Sequence, residues 1–243
     1  QAAGTIFVSD EVLSGGTASH GNIAAPTPGR SMAAFLFEFN SGTDSLVYAN
    51  QTSTAIGTEI IESGMTIEQD IVLLVDSSNT PHIMWRNADT NEIQLAIQNG
   101  STWDETILAT DANGSQFGAV MADNGSIGLM YRHDTSGLVT EWLEGAADSW
   151  SMTERTVLSS NETRIDGEAS IREGPALDLE VVWEDNNSQW RHQFIALGSV
   201  TDQSMPSLNR IFGGSPEFTS DGFLIPGTLP GASGSHVLID STG

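Results

Sequence analysis

PHIMWRNADTNEIQLA (81–96), SIGLMYRHDTSGLVTEW (126–142) and LDLEVVWEDNNSQWRHQF (177–194) state one pattern in three wordings. Each is an apolar run ending in an aromatic, then a polar turn, then a second run. Trp85 and Tyr131 lie 46 residues apart (131 − 85), and Tyr131 and Trp183 lie 52 apart (183 − 131). Phe39, closing RSMAAFLFEF, precedes Trp85 by another 46 (85 − 39). A period in the forties with about four short strands per copy is the signature of propeller blades, because one four-stranded blade cannot bury both faces alone and must stack on its neighbours. The spacing predicts an all-β chain, a β-propeller of four-stranded antiparallel blades. No long window keeps apolar residues at helical spacing, whereas short apolar runs bounded by Gly, Asn, Asp and Ser recur throughout.

The clearest unit runs through DIVLLVD (70–76), PHIMWR, EIQLAIQ and WDETILA (103–109), with turns at SSNT, NADTN and NGST. The next repeats it as QFGAVMAD (116–123), SIGLMYRH, LVTEWLE and WSMTERTVL (150–158), so that Trp103 and Trp150 open the last strands of their units. A third reads EASIRE (168–173), LDLEVVWED and QWRHQFIAL, with SLNRIFG (207–213) as its last strand after a longer connection. A first unit comprises GTIFVSD (4–10), RSMAAFLFEF (30–39), SLVYANQ and TEIIES. Its Gly/Ser/Ala-rich stretch over 14–29 reads as a long loop, a length that marks functional or interface elements. DGFLIPG (221–227) and SHVLIDSTG (235–243) open a fifth unit. The expectation is about four full blades and one partial or split blade in a single propeller domain over 1–243. Three closures stand open, since blade edges need cover: pairing of the last strands with the N-terminal segment, a longer chain, or strands added by a second subunit.

Charge narrows the partners. Eight basic residues, all Arg, face 32 acidic ones for a net −24. Such a surface repels nucleic acid and anionic head groups, and it resembles the composition of proteins from salty settings. Cysteine is absent, which removes disulfides, thiolate metal sites and cysteine nucleophiles together. No run of about 20 apolar residues offers a membrane span. Sequons at Asn50, Asn99, Asn113, Asn124, Asn161 and Asn186 are candidate glycosylation sites, several in predicted turns, and they point to an extracellular or cell-surface protein.

The phrases DSSN (76–79), DANGS (111–115), ADNGS (122–126) and IDSTG (239–243) resemble the Asp-containing turns of sialidase-like propellers of the bacterial neuraminidase repeat type. In that family an Asp side chain holds a tight hairpin. The resemblance covers roughly residues 65 to 200 and implies a propeller fold, which hosts sialidases, other glycosidases, lectins and adhesion modules alike. For a sialidase it would imply three arginines on the substrate carboxylate, a tyrosine nucleophile with a glutamate base, and an aspartate acid. Arg86 and Arg132 follow the strand aromatic in two units, and Arg30, Arg172 or Arg210 would complete a triad. Glu184 takes that place in the third unit, so these read as blade-edge positions that vary. Tyr48 and Tyr131, the two tyrosines, read as repeat-equivalent packing positions.

Other chemistries leave fainter traces. Asp10, Asp76 and Asp123 end first strands and read as turn-capping carboxylates; a glycoside hydrolase would need such groups to meet in one pocket. His20, His82, His133, His192 and His236 show no close pair at ligand spacing, so zinc is not expected. Gly15-Gly16 and Gly213-Gly214 lack the Lys of a phosphate loop. The acidic turns NADTNE (87–92) and EDNNS (184–188) are candidates for weak Ca²⁺ sites, the one cofactor in view. Trp103 and Trp150 are candidate glycan-stacking residues, against an expectation that repeat aromatics pack between blades. No residue is assigned a catalytic role. The leading reading is a non-enzymatic structural, filament or adhesion component working through protein or glycan contacts; the alternative is a propeller glycoside hydrolase or lectin acting on extracellular polysaccharide.

Overall fold

The computed structural model describes residues 16–27, 30–39, 44–51, 55–64, 66–146, 149–160, 170–173, 179–185, 189–196, 199–203, 209–210, 217–219, 222–228 and 236–240. Twenty strands and no helix occur among them. The first sheet is β1 (Gly16–Thr27), β2 (Arg30–Phe39), β3 (Asp44–Gln51) and β4 (Ile56–Ser63), and the second is β5 (Ile67–Val75), β6 (Pro81–Asn87), β7 (Glu92–Asn99) and β8 (Thr102–Ala109). The third is β9 (Ala112–Met121), β10 (Ile127–His133), β11 (Gly137–Ala146) and β12 (Ser149–Ser159), and the fourth is β13 (Ser170–Glu173), β14 (Leu179–Glu184), β15 (Trp190–Ala196) and β16 (Ser199–Asp202). All four are four-stranded sheets with neighbours in chain order, the hairpin-linked blade the repeat predicts. Two compact units emerge, Gln1–Ala112 with Gly145–Trp150, and Asn113–Glu144 with Ser151–Gly243.

The fifth sheet departs from that plan. β19 (Gly222–Thr228) is its centre: β17 (Asn209–Arg210) pairs with one end of it, β18 (Glu217–Thr219) with the other, and β20 (His236–Asp240) along its length. DGFLIPG and SHVLIDSTG therefore do not open a unit, since β17 and β18 precede them. Asn209 and Arg210 of SLNRIFG belong to this fifth sheet, and the last strand of the fourth sheet is the short Ser199–Asp202, which pairs β15 through Ala196↔Ser199. The expected loop over 14–29 is also corrected. Residues 16–27 form β1, running against β2 from Gly16↔Phe39 to Thr27↔Arg30 with two register shifts. At Gly21 a Cβ would sit 2.8 Å from the Ala34 carbonyl oxygen, so the shifted strand can close on β2 only where a side chain is missing. GTIFVSD lies outside the described residues.

Turn chemistry explains why the strands stop where they do. Asn99↔Thr102 closes a hairpin with Gly100 at φ 66 as its first loop residue, where Gly carries no steric cost. Asp76 Oδ1 accepts from the backbone N–H groups of Ser78 and Thr80, and Asn79 sits at φ 64. DANGS differs from expectation: Asp111 turns at φ 56, but Ala112 already begins β9.

Burial follows position within the blade. The second strand β6 is buried at every residue, whereas the fourth strands β8, β12 and β16 are mostly exposed or half-buried. In the first unit, Met32, Ala34, Leu36, Leu46 and Tyr48 of the first sheet pack on Ile71, Leu73, Ile83 and Trp85 of the second. In the second unit, Met130 and Leu138 pack on Ile171, Val181, Trp183 and Ile195. Gly128 permits that approach, since a Cβ there would meet Leu179 Cδ2 at 2.5 Å. The repeat aromatics Trp85, Tyr131 and Trp183 are all at most 4% exposed, which makes them core.

Candidate functional site

The first two sheets enclose a cluster that their separate sequences do not announce. Arg30 opens β2, and its Nε donates to Asn50 Oδ1 at 3.2 Å while Nη1 donates to the Asn79 carbonyl at 3.4 Å, joining sheet one to sheet two. On β3, Tyr48 lies opposite Ala34 and Glu59. Trp103, second residue of β8, places its ring edge-on to Tyr48 with centroids 5.1 Å apart at 72°. Its Nε1 donates to Glu59 Oε2 at 2.8 Å, a second bond between the sheets. Trp103 is half-buried and Glu59 exposed, so the cluster opens to solvent at that side.

Tyr48 is the unusual member. It is 1% exposed, and its hydroxyl lies beside the Arg30 guanidinium. Burial raises its pKa, with Arg30 opposing and Glu59 reinforcing the rise, so the hydroxyl stays protonated. The half-buried indole of Trp103, with the exposed Glu59 carboxylate on its N–H and the Asn50 amide and Arg30 guanidinium nearby, has the composition of a site for a hydroxyl-rich ligand.

In the second unit, polar side chains form braces across strands. Tyr131 Oη donates to Glu141 Oε1 at 2.9 Å, and Arg155 Nε donates to the same oxygen. The combination of phenol, carboxylate and guanidinium is the one a sialidase would use, but Tyr131 is 1% exposed, and burial followed by the Glu141 charge drives its pKa far up. A phenol so placed holds its proton and braces β10 to β11. Trp183 Nε1 donates to Gln193 Oε1 at 2.9 Å, and Gln193 Nε2 donates to Asp202 Oδ1 at 2.7 Å, a comparable ladder in the fourth sheet. Glu180, 2% exposed, meets Arg172 Nε through one oxygen and His192 Nε2, at 2.8 Å, through the other. Burial alone would raise its pKa, but the His192 and Arg172 hydrogen bonds outweigh that and hold it below the usual range.

The remaining sequence candidates fall into structural roles or outside the described residues. Arg86 is no freely varying edge residue: it is 4% exposed and donates to the Ala112 carbonyl at 2.8 Å and to Asn91 Oδ1 at 2.6 Å. Tyr48 and Tyr131 are not equivalent, since one is on a third strand and the other on a second. Asp76 is held in its turn and Asp123 is exposed, while Asp10 lies outside the described residues. The side chains of Glu184 and Arg210 are likewise undescribed. The oxygens of NADTNE serve the turn itself: Asn87 Oδ1 accepts from Asp89 N–H, Asp89 Oδ2 from Thr66 N–H, and Glu92 Oε2 from Thr90. In EDNNS, Asp185 takes Gln189 N–H and Arg191. No group of three or more His, Asp or Glu able to hold a metal occurs among the described residues. His82 is buried with Nδ1 3.1 Å from the Thr80 carbonyl, and desolvation lowers its pKa.

Of the two stacking candidates, Trp103 falls in the cluster. Trp150 is half-buried at the matching second position of β12, and Gly145 opposite leaves it room. Asn50 is committed to Arg30, whereas Asn99, Asn113 and Asn124 are exposed; Asn161 and Asn186 lie outside the described residues. A groove of about 250 Å³ between β1 and β2, lined by Ala18, Gly21, Ile23, Ala33 and Phe35 among others, is mostly apolar and offers few polar anchors. Arg30, Tyr48, Asn50 and Glu59 were not legible as a site in the sequence.

No protein-family model matches this chain, and neither does any curated protein. Solved structures do. The chain is similar to a lectin of Aleuria aurantia, described as a fungal lectin with a six-bladed β-propeller fold and a novel fucose recognition mode, at 12% identity and a TM-score of 0.57, over 96% of this chain and 81% of that one. It is also similar to a variant of AofleA from Arthrobotrys oligospora, at 14% identity and a TM-score of 0.56, over 96% and 78%. At such identity the likeness shows the fold: a β-propeller of four-stranded antiparallel blades.

Proposed function

We propose that this propeller is a glycan-binding protein whose site is the solvent-open edge where Trp103 and Glu59 join its first two sheets. The carrying observation is Trp103, half-buried, edge-on to Tyr48 and bonded through its N–H to the exposed Glu59 carboxylate. A sugar stacks an apolar face on an indole while its hydroxyls satisfy nearby donors and acceptors, and Arg30, Asn50 and Glu59 supply both kinds. Lectin propellers of the same fold, one in complex with α-methyl-L-fucoside, support the reading. The exposed sequons at Asn99, Asn113 and Asn124 support work outside the cell, where such ligands are found. Adhesion would then follow from glycan binding rather than from subunit polymerisation.

The test is a glycan array, including fucosides, probed with the natural chain and with Trp103→Ala. The reading expects binding to a defined glycan subset and a loss of about tenfold or more in the variant, the order of one lost stacking contact. No binding to any glycan would sink it. Turnover of a bound glycoside would move the assignment from binding to hydrolysis.

A further inference from the structure

Asn-Gly-Ser occurs three times, at 99–101, 113–115 and 124–126, and no other Asn in the chain precedes Gly. Glycine has no side chain to screen its backbone nitrogen, and Asn is a thermolabile residue. In such a pair the nitrogen can attack the Asn side-chain carbonyl carbon and expel ammonia. Because the three triplets are identical, any difference in their reactivity comes from the fold rather than from the adjacent residues.

The fold treats them unequally. Asn124 and Gly125 sit in the turn between β9 and β10, where both reacting groups are held: Asn124 Oδ1 accepts from Ser126 N–H at 2.9 Å, and Gly125 N–H donates to the Ala122 carbonyl at 2.9 Å. Attack there has to break both bonds. Asn113 and Gly114 lie within β9 with strand on either side, which resists the backbone rotation that attack requires. Asn99 is the last residue of β7, and its pairing with Thr102 is the last rung of the β7–β8 ladder. Gly100 and Ser101 are therefore loop residues outside that ladder, and all three members of the triplet are exposed. The rotation that brings the Gly100 nitrogen to Asn99 Cγ opens only the hairpin tip, the part of a strand pair that opens most readily. Two exposed bonds restrain Asn99, from its Nδ2 to Asp104 Oδ2 and from Thr102 Oγ1 to its carbonyl, both at 2.9 Å, and neither engages the attacking nitrogen.

We infer that Asn99 is the site at which this folded chain converts asparagine to aspartate and isoaspartate. The Gly100 nitrogen gives its proton to solvent base and bonds to Asn99 Cγ; the Cγ–Nδ2 bond breaks, and ammonia leaves with a proton returned from solvent. Water then opens the succinimide on one side to aspartate or on the other to isoaspartate. The product places a carboxylate where an amide had donated to Asp104, and isoaspartate adds a methylene to the backbone at the last rung. Trp103, between Thr102 and Asp104, is carried by that hairpin, whatever it binds.

The natural chain is incubated at mildly alkaline pH, folded and in denaturant, and the three triplets are followed by peptide mapping with isoaspartate counted by enzymatic methylation. In the folded chain, conversion at Asn99 should outrun that at Asn113 and at Asn124 by about fivefold or more, the scale of one retained hydrogen bond. In denaturant the three rates should converge. Asp104→Ala, which frees the Asn99 amide, should raise the rate at Asn99 and leave the other two unchanged. Folded-state rates that are equal, or led by Asn113 or Asn124, overturn the inference, as does a folded chain whose Asn99 stays intact while the denatured chain reacts.

Discussion

Tyr48 joins the first sheet to the second. Its ring packs in the core of the two sheets, and its buried hydroxyl lies beside the Arg30 guanidinium. Tyr48→Phe keeps the ring and removes the hydroxyl, so the free protein should lose about 1 kcal/mol, the scale of one hydrogen bond. Denaturant melts of the variant would check the sign; a variant that gains stability would mean the hydroxyl goes unmatched in the folded state. Glu180 is a buried carboxylate with two partners. Its folded pKa lies below that of an ordinary glutamate, so its contribution is fully present above the ordinary value and is lost as pH falls through the folded pKa. Glu180→Gln should cost roughly 3 kcal/mol at neutral pH, the scale for breaking a buried ion pair, and should flatten the acid limb of a stability–pH curve. An unchanged acid limb would show that other carboxylates set it.

At the level of elements, turns and second strands were plain in the sequence and edges were not. The run RSMAAFLFEF coincides with β2, and Trp103 and Trp150 stand at matching second positions of β8 and β12, as their spacing implied. Such elements are legible because an apolar run must be buried and because Gly, Asn and Asp release the chain at positive φ. β1 was not legible. Its GTASHGNIAAPT lacks the β-branched run of a core strand, and β2 supplies the pairing that makes it a strand. The Arg30–Tyr48–Glu59–Trp103 cluster escaped for a related reason: Trp103 and Glu59 meet through sheet packing that no local spacing encodes. One glycine tests the turn argument. Gly137 has φ 78, and a Cβ there would lie 2.1 Å from the Ser159 carbonyl oxygen. Gly137→Ala should therefore cost about 2 kcal/mol or more through strain and displacement of β12, measurable by chemical unfolding; a neutral effect would show that this hairpin has another conformation open to it.

Over the whole molecule, charge and fold make separate statements. A net −24 with no Lys costs the folded state through self-repulsion. Raising salt from about 0.1 M to about 1 M shortens the screening length from about 10 Å to about 3 Å, so the melting temperature should climb over that range. A fall would mean that the acidic residues are matched by attractive pairs. The fold, in turn, is common ground with lectins at 12 to 14% identity, and a shared fold does not carry a shared site. The glycan reading therefore stands on the Trp103–Glu59 contact between the first two sheets, and Trp103 is its natural reporter. The most direct measurement follows the Trp103 indole N–H resonance, assigned through Trp103→Phe, while the best glycan from the array is titrated in. The account predicts a saturable shift of that resonance as the ligand enters beside the Glu59 contact. Saturable binding that leaves it unmoved while another indole shifts would place the site elsewhere and contradict the account.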